Sequence, residues 1–394
     1  MIGYDEAIRL IENAVTPLGA EICAFADGAG RILAEPLHAR CAAPRTAVAA
    51  MDGYAVCDRT TRPGEALTLV GESRAGSGFS GMLAPGQAVR IFTGAPMPGG
   101  ADRCIMQEYA RRDGDEVRFA EGYGPGWHVR AAGSDFAAGD MLLAAGTRLT
   151  PRAMIAAAAA DVASLTVARQ ARVAIIGTGD ELAAPGSAHL RADAIPDSVT
   201  YGVAALVQQA GGLAVRRSIG LDDLAALEKQ AGEALAEADL VIVTGGASVG
   251  ERDFAKPMFA AHGLDLLFAK VAIKPGKPVW LGRARGTWVL GLPGNPTSAM
   301  VTGRLLLMPL LARLHGQPLA DILRWRSLPL AAALGPTGTR ETFMRSRWDA
   351  GGLTPLVNQD SGAQHALVEA DWLIRCPPGQ PALDPGTPVT ALAF

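Results

Sequence analysis

Three short strand-like runs, at residues 172–176, 240–243 and 288–292, each lead into a glycine-containing turn. Helix-patterned stretches lie between the first two. Asp197-Ser198 can cap a helix that stops at Gly211-Gly212, a short strand follows at 213–215, and Asp222 can cap a second helix over about 224–238. Apolar runs without alternation are strands buried on both faces, and strands alternating with helices imply a parallel, doubly wound sheet. In such sheets ligands bind beyond the carboxyl ends of the strands. Residues 168–316 are therefore the expected seat of the chemistry.

The chain has 394 residues, more than one core usually holds, so further domains are expected around this unit. Residues 1–44 read as an amphipathic helix, capped by Asp5 and repeating Ile8, Ile11 and Val15, and then as extended chain. Residues 45–130 are rich in glycine and proline with apolar runs at 67–70, 88–92 and 103–106, a β texture. Thr150-Pro151 looks like an N-cap and first helical residue, within a stretch 131–167 that belongs with the N-terminal one. Strand-like segments return over 317–394, a small C-terminal β-barrel.

Composition excludes several partners. Net charge is −3 with no Lys/Arg run, which disfavours nucleic acid. The apolar stretch 153–168 is interrupted by Asp161 and too short for a bilayer, and Asp5 and Glu6 stand where a secretion signal would be basic. Five cysteines without a C-x-x-C, and six scattered histidines, suit a reduced cytoplasm and no structural zinc.

Three strand-end loops can carry chemistry. Gly177-Thr178-Gly179-Asp180-Glu181 places two carboxylates where Mg²⁺ or water can be held; a tight turn with a capping aspartate is the plain alternative. Thr244-Gly245-Gly246-Ala247-Ser248-Val249-Gly250, followed by Asp253, offers backbone N–H groups to an anion, or is merely a βα connection. Pro293-Gly294-Asn295-Pro296 opens a helix whose first N–H groups face the same rim, or is simply well capped. Between the last two, Lys270, Lys274 and Lys277 flank the rigid Pro275-Gly276 turn. Lysine is a point charge for phosphate or oxyanion, although most surface lysines are only solvated. The sum is a site for a phosphate-bearing anion with a divalent cation.

These residues resemble the molybdopterin molybdenumtransferases, the bacterial MoeA-type proteins and the gephyrin E domain. The likeness is carried by MDGYA at 51–55, TGAPMPGGAD at 93–102, MQE at 106–108, TGDEL at 178–182, TGGASVGERDF at 244–254, KPGKP at 274–278 and GLPGNP at 291–296. It implies an L-shaped homodimer of four-part subunits, with the site between the α/β domain of one and the Gly/Pro-rich domain of the other. It also implies Mg²⁺-dependent insertion of molybdate into adenylylated molybdopterin with release of AMP. Carried over position by position, it marks Asp52, Thr93, Arg130, Asp135, Glu181, Asp222, Asp253, Lys270, Lys274, Lys277, Pro293, Pro296, Arg345 and Ser361. Within that set the expected catalytic residues are Asp52, Glu181, Asp253, Lys270 and Lys274. Asp180, Glu181 and Asp253 are the expected metal ligands, and Lys270, Lys274 and Arg345 would attract molybdate.

The chain departs from the family at Ala47-Val48-Ala49, where Asp-Asn-Ser is usual, at Ser134 and at Val199. Those losses keep open a non-catalytic pterin-binding scaffold; an adenylyltransferase is a separate alternative, against which the long N-terminal zone and the KPGKP loop argue.

Overall fold

The computed structural model describes residues 1–245 and 254–394. The N-terminal helix, Tyr4–Ala14, buries Tyr4, Ala7 and Ile11. Its N-cap is Gly3 rather than Asp5. Asp5 lies in the first turn and pairs instead with Arg375 at 2.8 Å. Strand Ala20–Ala24 pairs antiparallel with Ser164–Ala168, and Leu37–His38 with Met141–Leu143, so the first segment and the one after residue 130 meet in space. Thr150 caps the helix Pro151–Ala159 by accepting from the Ala153 N–H at 3.3 Å.

The Gly/Pro-rich stretch between them forms a six-stranded sheet. Its order is Arg103–Met106, Gly53–Val56, Gln87–Ile91, Ala66–Ser73, Glu116–Phe119, Ala110–Asp113.

The α/β unit has strands β1 Arg172–Thr178, β2 Leu213–Gly220, β3 Leu240–Thr244, β4 Asp265–Phe268, β5 Trp280–Ala284 and β6 Thr287–Leu292, in the order β2-β1-β3-β6-β5-β4. The first four run parallel, as the alternation of strands and helices demands. β5 and β4 each run antiparallel to their neighbour, so the sheet is mixed. Side chains alternate faces along a strand. Val173 and Ile175 pack with Val203, Leu206 and Val207 of the helix Val199–Gln209. Ala174 and Ile176 pack on the opposite face with Leu227, Ala231 and Leu235 of the helix Leu224–Glu237. Each buried Val, Leu or Ile among them contributes roughly 1.5–3 kcal/mol of transfer free energy, and each alanine less.

Two local expectations are corrected. Asp223, not Asp222, caps the second helix, accepting from the Ala226 N–H at 2.7 Å. The strand expected at 213–215 continues to Gly220, because β2 pairs with β1 along its whole length.

The C-terminal segment forms a sheet from Arg326–Pro329, Glu341–Asp349, Gly352–Pro355, Trp372–Cys376 and Pro388–Ala393. Ile273–Lys274 joins its edge by parallel pairing with Glu341 and Thr342, which anchors the lysine turn to this domain. Among the described residues, no helix is long and apolar enough to cross a membrane.

Candidate functional site

The carboxyl ends of β1, β3 and β6 lie side by side, with Gly177 opposite Thr244 and Thr244 opposite Leu292. Their loops can crowd together only because glycines stand at the contacts. Gly245 has φ +97°, and a Cβ there would lie 2.6 Å from the Thr178 carbonyl oxygen. A Cβ on Gly294 would come within 3.1 Å of Gly245 Cα. Side chains at either position would force the strand ends apart.

Over this rim lies a cavity of about 480 Å³. Thr178, Glu181, Thr244, Gly245 and residues 293–296 line it, together with Asp197, Ser198 and Gln364. A second cavity of about 600 Å³ adjoins it, lined by Lys274, Lys277, Arg340, Gln359 and Ser361, and Pro278 lines both. Two of the three expected loops and the lysine turn thus converge. Gly246, Ser248, Gly250 and Asp253 lie outside the described residues.

Local bonding fixes the walls. Asn295 precedes the helix Pro296–Thr302, but its side chain does not cap it; Nδ2 donates to Ser361 Oγ at 2.9 Å. The Thr297 N–H donates to the Ser361 carbonyl at 3.1 Å. Asp197 is buried and accepts from the Thr200 N–H at 3.1 Å and from the Thr200 hydroxyl. Asp180 is exposed and accepts from the Asp222 N–H at 2.9 Å, which braces the β1 loop against the end of β2. Gly179, with φ +145°, lies directly against the Glu181 carboxylate.

Other expected residues lie elsewhere. Arg345 is 1% exposed and donates to Thr297 Oγ1 and to the Asp360 carbonyl, each at 3.2 Å. It supports the floor under both cavities and presents no surface to an anion. Lys270 is exposed outside both cavities, its carbonyl taken by the Ile2 N–H at 3.2 Å. Asp52, Thr93, Arg130 and Asp135 line neither cavity. Asp52 accepts from both the Thr93 N–H and hydroxyl at 2.8 Å, and those two bonds hold its carboxyl below the usual range. Arg130 and Asp135 are exposed in the chain that returns alongside Val48–Ala49.

Sequence reasoning did not name Asp197 or Ser198 as site residues; it read them as a cap and as the part of a family motif that precedes the departure at Val199. It also missed Gln364, which sits in a stretch with no periodic pattern. Among the described residues, no group of three or more His, Cys, Asp or Glu is arranged to hold a metal.

The chain matches three family descriptions in order. They are "MoeA N-terminal region (domain I and II)" over residues 2–160, "Probable molybdopterin binding domain" over 174–313 and "MoeA C-terminal region (domain IV)" over 327–394. It is 35% identical over 353 residues to the molybdopterin molybdenumtransferase of Haemophilus influenzae, covering 89% of this chain and 86% of that one. Its identity to the protein of the same name from Synechococcus elongatus is 32% over 408 residues, covering 99% and 98%. The crystal structure of a molybdopterin biosynthesis MoeA protein from Pyrococcus horikoshii superposes with TM-score 0.81 at 28% identity, over 100% of this chain and 99% of that one. By fold, length and sequence, the chain belongs to the molybdopterin molybdenumtransferase family.

Proposed function

We propose that this enzyme of molybdenum cofactor biosynthesis inserts molybdate into adenylylated molybdopterin, with Mg²⁺-dependent release of AMP. The observation that carries the reading is the pair of adjoining cavities with one shared wall at Pro278. One gathers strand-end loops, hydroxyls and two carboxylates, a setting for an adenylylated phosphate with its cation. The other gathers Lys274, Lys277 and Arg340 around a turn, a setting for a tetrahedral dianion.

The residues' roles follow from their chemistry. Thr178 and Thr244 stand at the strand ends, where hydroxyls and backbone can orient phosphate oxygens. Glu181 faces the strand-end cavity, and Asp180 follows the same strand. Mg²⁺ at phosphate sites is usually held by one or two carboxylates together with substrate oxygens, so Glu181 and Asp180 fit it. Bound there, the ion would neutralise phosphate charge as the adenylyl bond is cleaved. Lys274 and Lys277 draw in molybdate.

Asp52 and Thr93 belong to this reading through a second copy. We propose a homodimer in which the Gly/Pro-rich domain of one subunit completes the site of the other. In this reading residues 1–44 with 131–167, 45–130, 168–316 and 317–394 are the four domains, the third doubly wound, the last a small barrel, and the protein works in the cytoplasm.

The replacement of three usually polar residues by Ala47, Val48 and Ala49 beside Asp52 favours a second reading, a scaffold that binds pterin without turnover. Ala49 is fully buried, so a polar side chain there would need a hydrogen-bond partner of its own. AMP release from adenylylated molybdopterin, with and without molybdate and Mg²⁺, decides. Molybdate-dependent AMP supports the transferase. Binding without AMP supports the scaffold, and consumption of ATP with metal-free pterin supports an adenylyltransferase.

A further inference from the structure

The Asn295–Ser361 hydrogen bond crosses the wall between the two cavities. Asn295 lines the strand-end cavity and Ser361 the lysine cavity. The two residues come from different domains, one opening a helix after β6 and the other from the loop that precedes Trp372–Cys376.

A serine hydroxyl has one proton and two lone pairs. Asn295 Nδ2 fills one lone pair as donor at 2.9 Å. The Ser361 proton is then directed away from the amide. Among the described residues no acceptor takes it, so it is available to a guest beside Lys274 and Lys277.

The Ser361 backbone is held independently. Its carbonyl accepts from the Thr297 N–H at 3.1 Å, and the neighbouring Asp360 carbonyl accepts from Arg345 at 3.2 Å. Asp360 Oδ1 accepts from the Gly362 N–H at 2.7 Å. Removing the Asn295 amide therefore frees one side-chain rotor and leaves the loop in place.

We infer that Asn295 is a positioning residue for the oxyanion substrate, holding Ser361 Oγ so that its O–H donates into the lysine-lined cavity. The inference rests on the functional reading above, in which that cavity takes molybdate. Asn295 acts through Ser361 and not through the anion.

A double-mutant cycle on the full-length enzyme tests it, with Asn295→Ala, Ser361→Ala, the double variant and Asn295→Asp. The readouts are KM and kcat for AMP release against molybdate, equilibrium dialysis of molybdate, and the urea unfolding midpoint. Each single alanine variant is expected to raise the molybdate KM about three- to tenfold, the worth of one hydrogen bond to an anion. The double variant is expected to match Ser361→Ala, with unfolding midpoints little changed. Asn295→Asp is expected to be worse than Asn295→Ala, because a carboxylate takes the Ser361 proton for itself and repels the dianion. Multiplying effects in the double variant would overturn the inference, as would an Asn295→Ala enzyme whose molybdate KM is unchanged while kcat falls. A wild-type enzyme that releases no AMP counts against the functional reading alone; the cycle is then read by dialysis, with the same expected pattern.

Discussion

Arg345 and Thr297 meet inside the protein, guanidinium to hydroxyl at 3.2 Å, and this contact joins the C-terminal sheet to the helix that closes the strand-end cavity. The same guanidinium holds the Asp360 carbonyl, directly before Ser361. The planar fork reaches the two acceptors with two separate nitrogens held in fixed geometry, whereas a lysine would have to serve both from a single nitrogen. Arg345→Met keeps the bulk and loses the donors. It should lower stability by about 1–3 kcal/mol through unpaired acceptors, and activity should fall with it because the loop under Ser361 relaxes. Urea denaturation and steady-state kinetics measure both. An Arg345→Met protein of unchanged stability, with only its molybdate KM raised, would restore the direct anion contact that the sequence suggested.

The two bonds from Thr93 to Asp52 favour the ionised carboxylate, which is why its pKa is depressed. A depressed carboxyl contributes stability above its unfolded pKa, and that contribution is lost as pH falls through the folded value. Thr93→Val removes the hydroxyl bond and keeps the backbone one. The Asp52 carboxyl should then titrate at higher pH, and any acid limb of activity that depends on it should move the same way. Carbon-13 NMR of the Asp52 side chain reads this directly. Identical titrations in the two proteins would remove Thr93 from the account.

Much of the central sheet was legible because buried parallel strands write continuous apolar runs: 172–176, 240–243 and 288–292 all lie within strands. β5 and β4 were not, since Gly282 and Arg283 break the pattern in one, and half of the other is exposed. Asp222 and Asp223 are adjacent and chemically alike, so only geometry assigns the cap. The lysine turn's position depends on the pairing of Ile273 and Lys274 with Glu341 and Thr342, a long-range register that no local pattern encodes. The burial of Arg345, a residue marked only by the family likeness, was not legible for a related reason. A charged residue in a strand reads as exposed unless the loop that covers it is known.

His315 offers a pH test of the joint beneath the site. It is 3% exposed, and its Nε2 accepts from the Ala171 N–H at 3.0 Å, just before β1. Burial, reinforced by nearby Arg148, lowers its pKa from 6.5 to about 4. Folding therefore favours the neutral ring. That stabilisation is complete above 6.5 and drains as pH falls toward about 4, by about 3 kcal/mol at most. His315→Gln keeps an acceptor for Ala171 and cannot titrate, so its stability should fall less steeply across that window. Denaturation midpoints measured above 6.5, within the window and at about 4 make the comparison. Parallel profiles would show that His315 titrates normally.

Lys274 and Lys277 sit on the exposed side of a turn whose Gly276 has φ +99° and whose would-be Cβ meets Thr302 at 2.1 Å. The turn is held by that close packing and by the Ile273–Lys274 pairing, not by the ammonium groups. Replacing either lysine by alanine should leave the unfolding free energy within about 0.5 kcal/mol of wild type. Each ammonium removed should raise the molybdate KM severalfold, and the double replacement should do so more than either alone. Because exposed charges are screened over about 8 Å at physiological salt, the wild-type KM should climb with ionic strength more steeply than that of the double variant. The diagnostic quantity is that slope. A double variant that loses activity yet keeps the wild-type salt dependence would mean that the lysines act on something other than the incoming dianion.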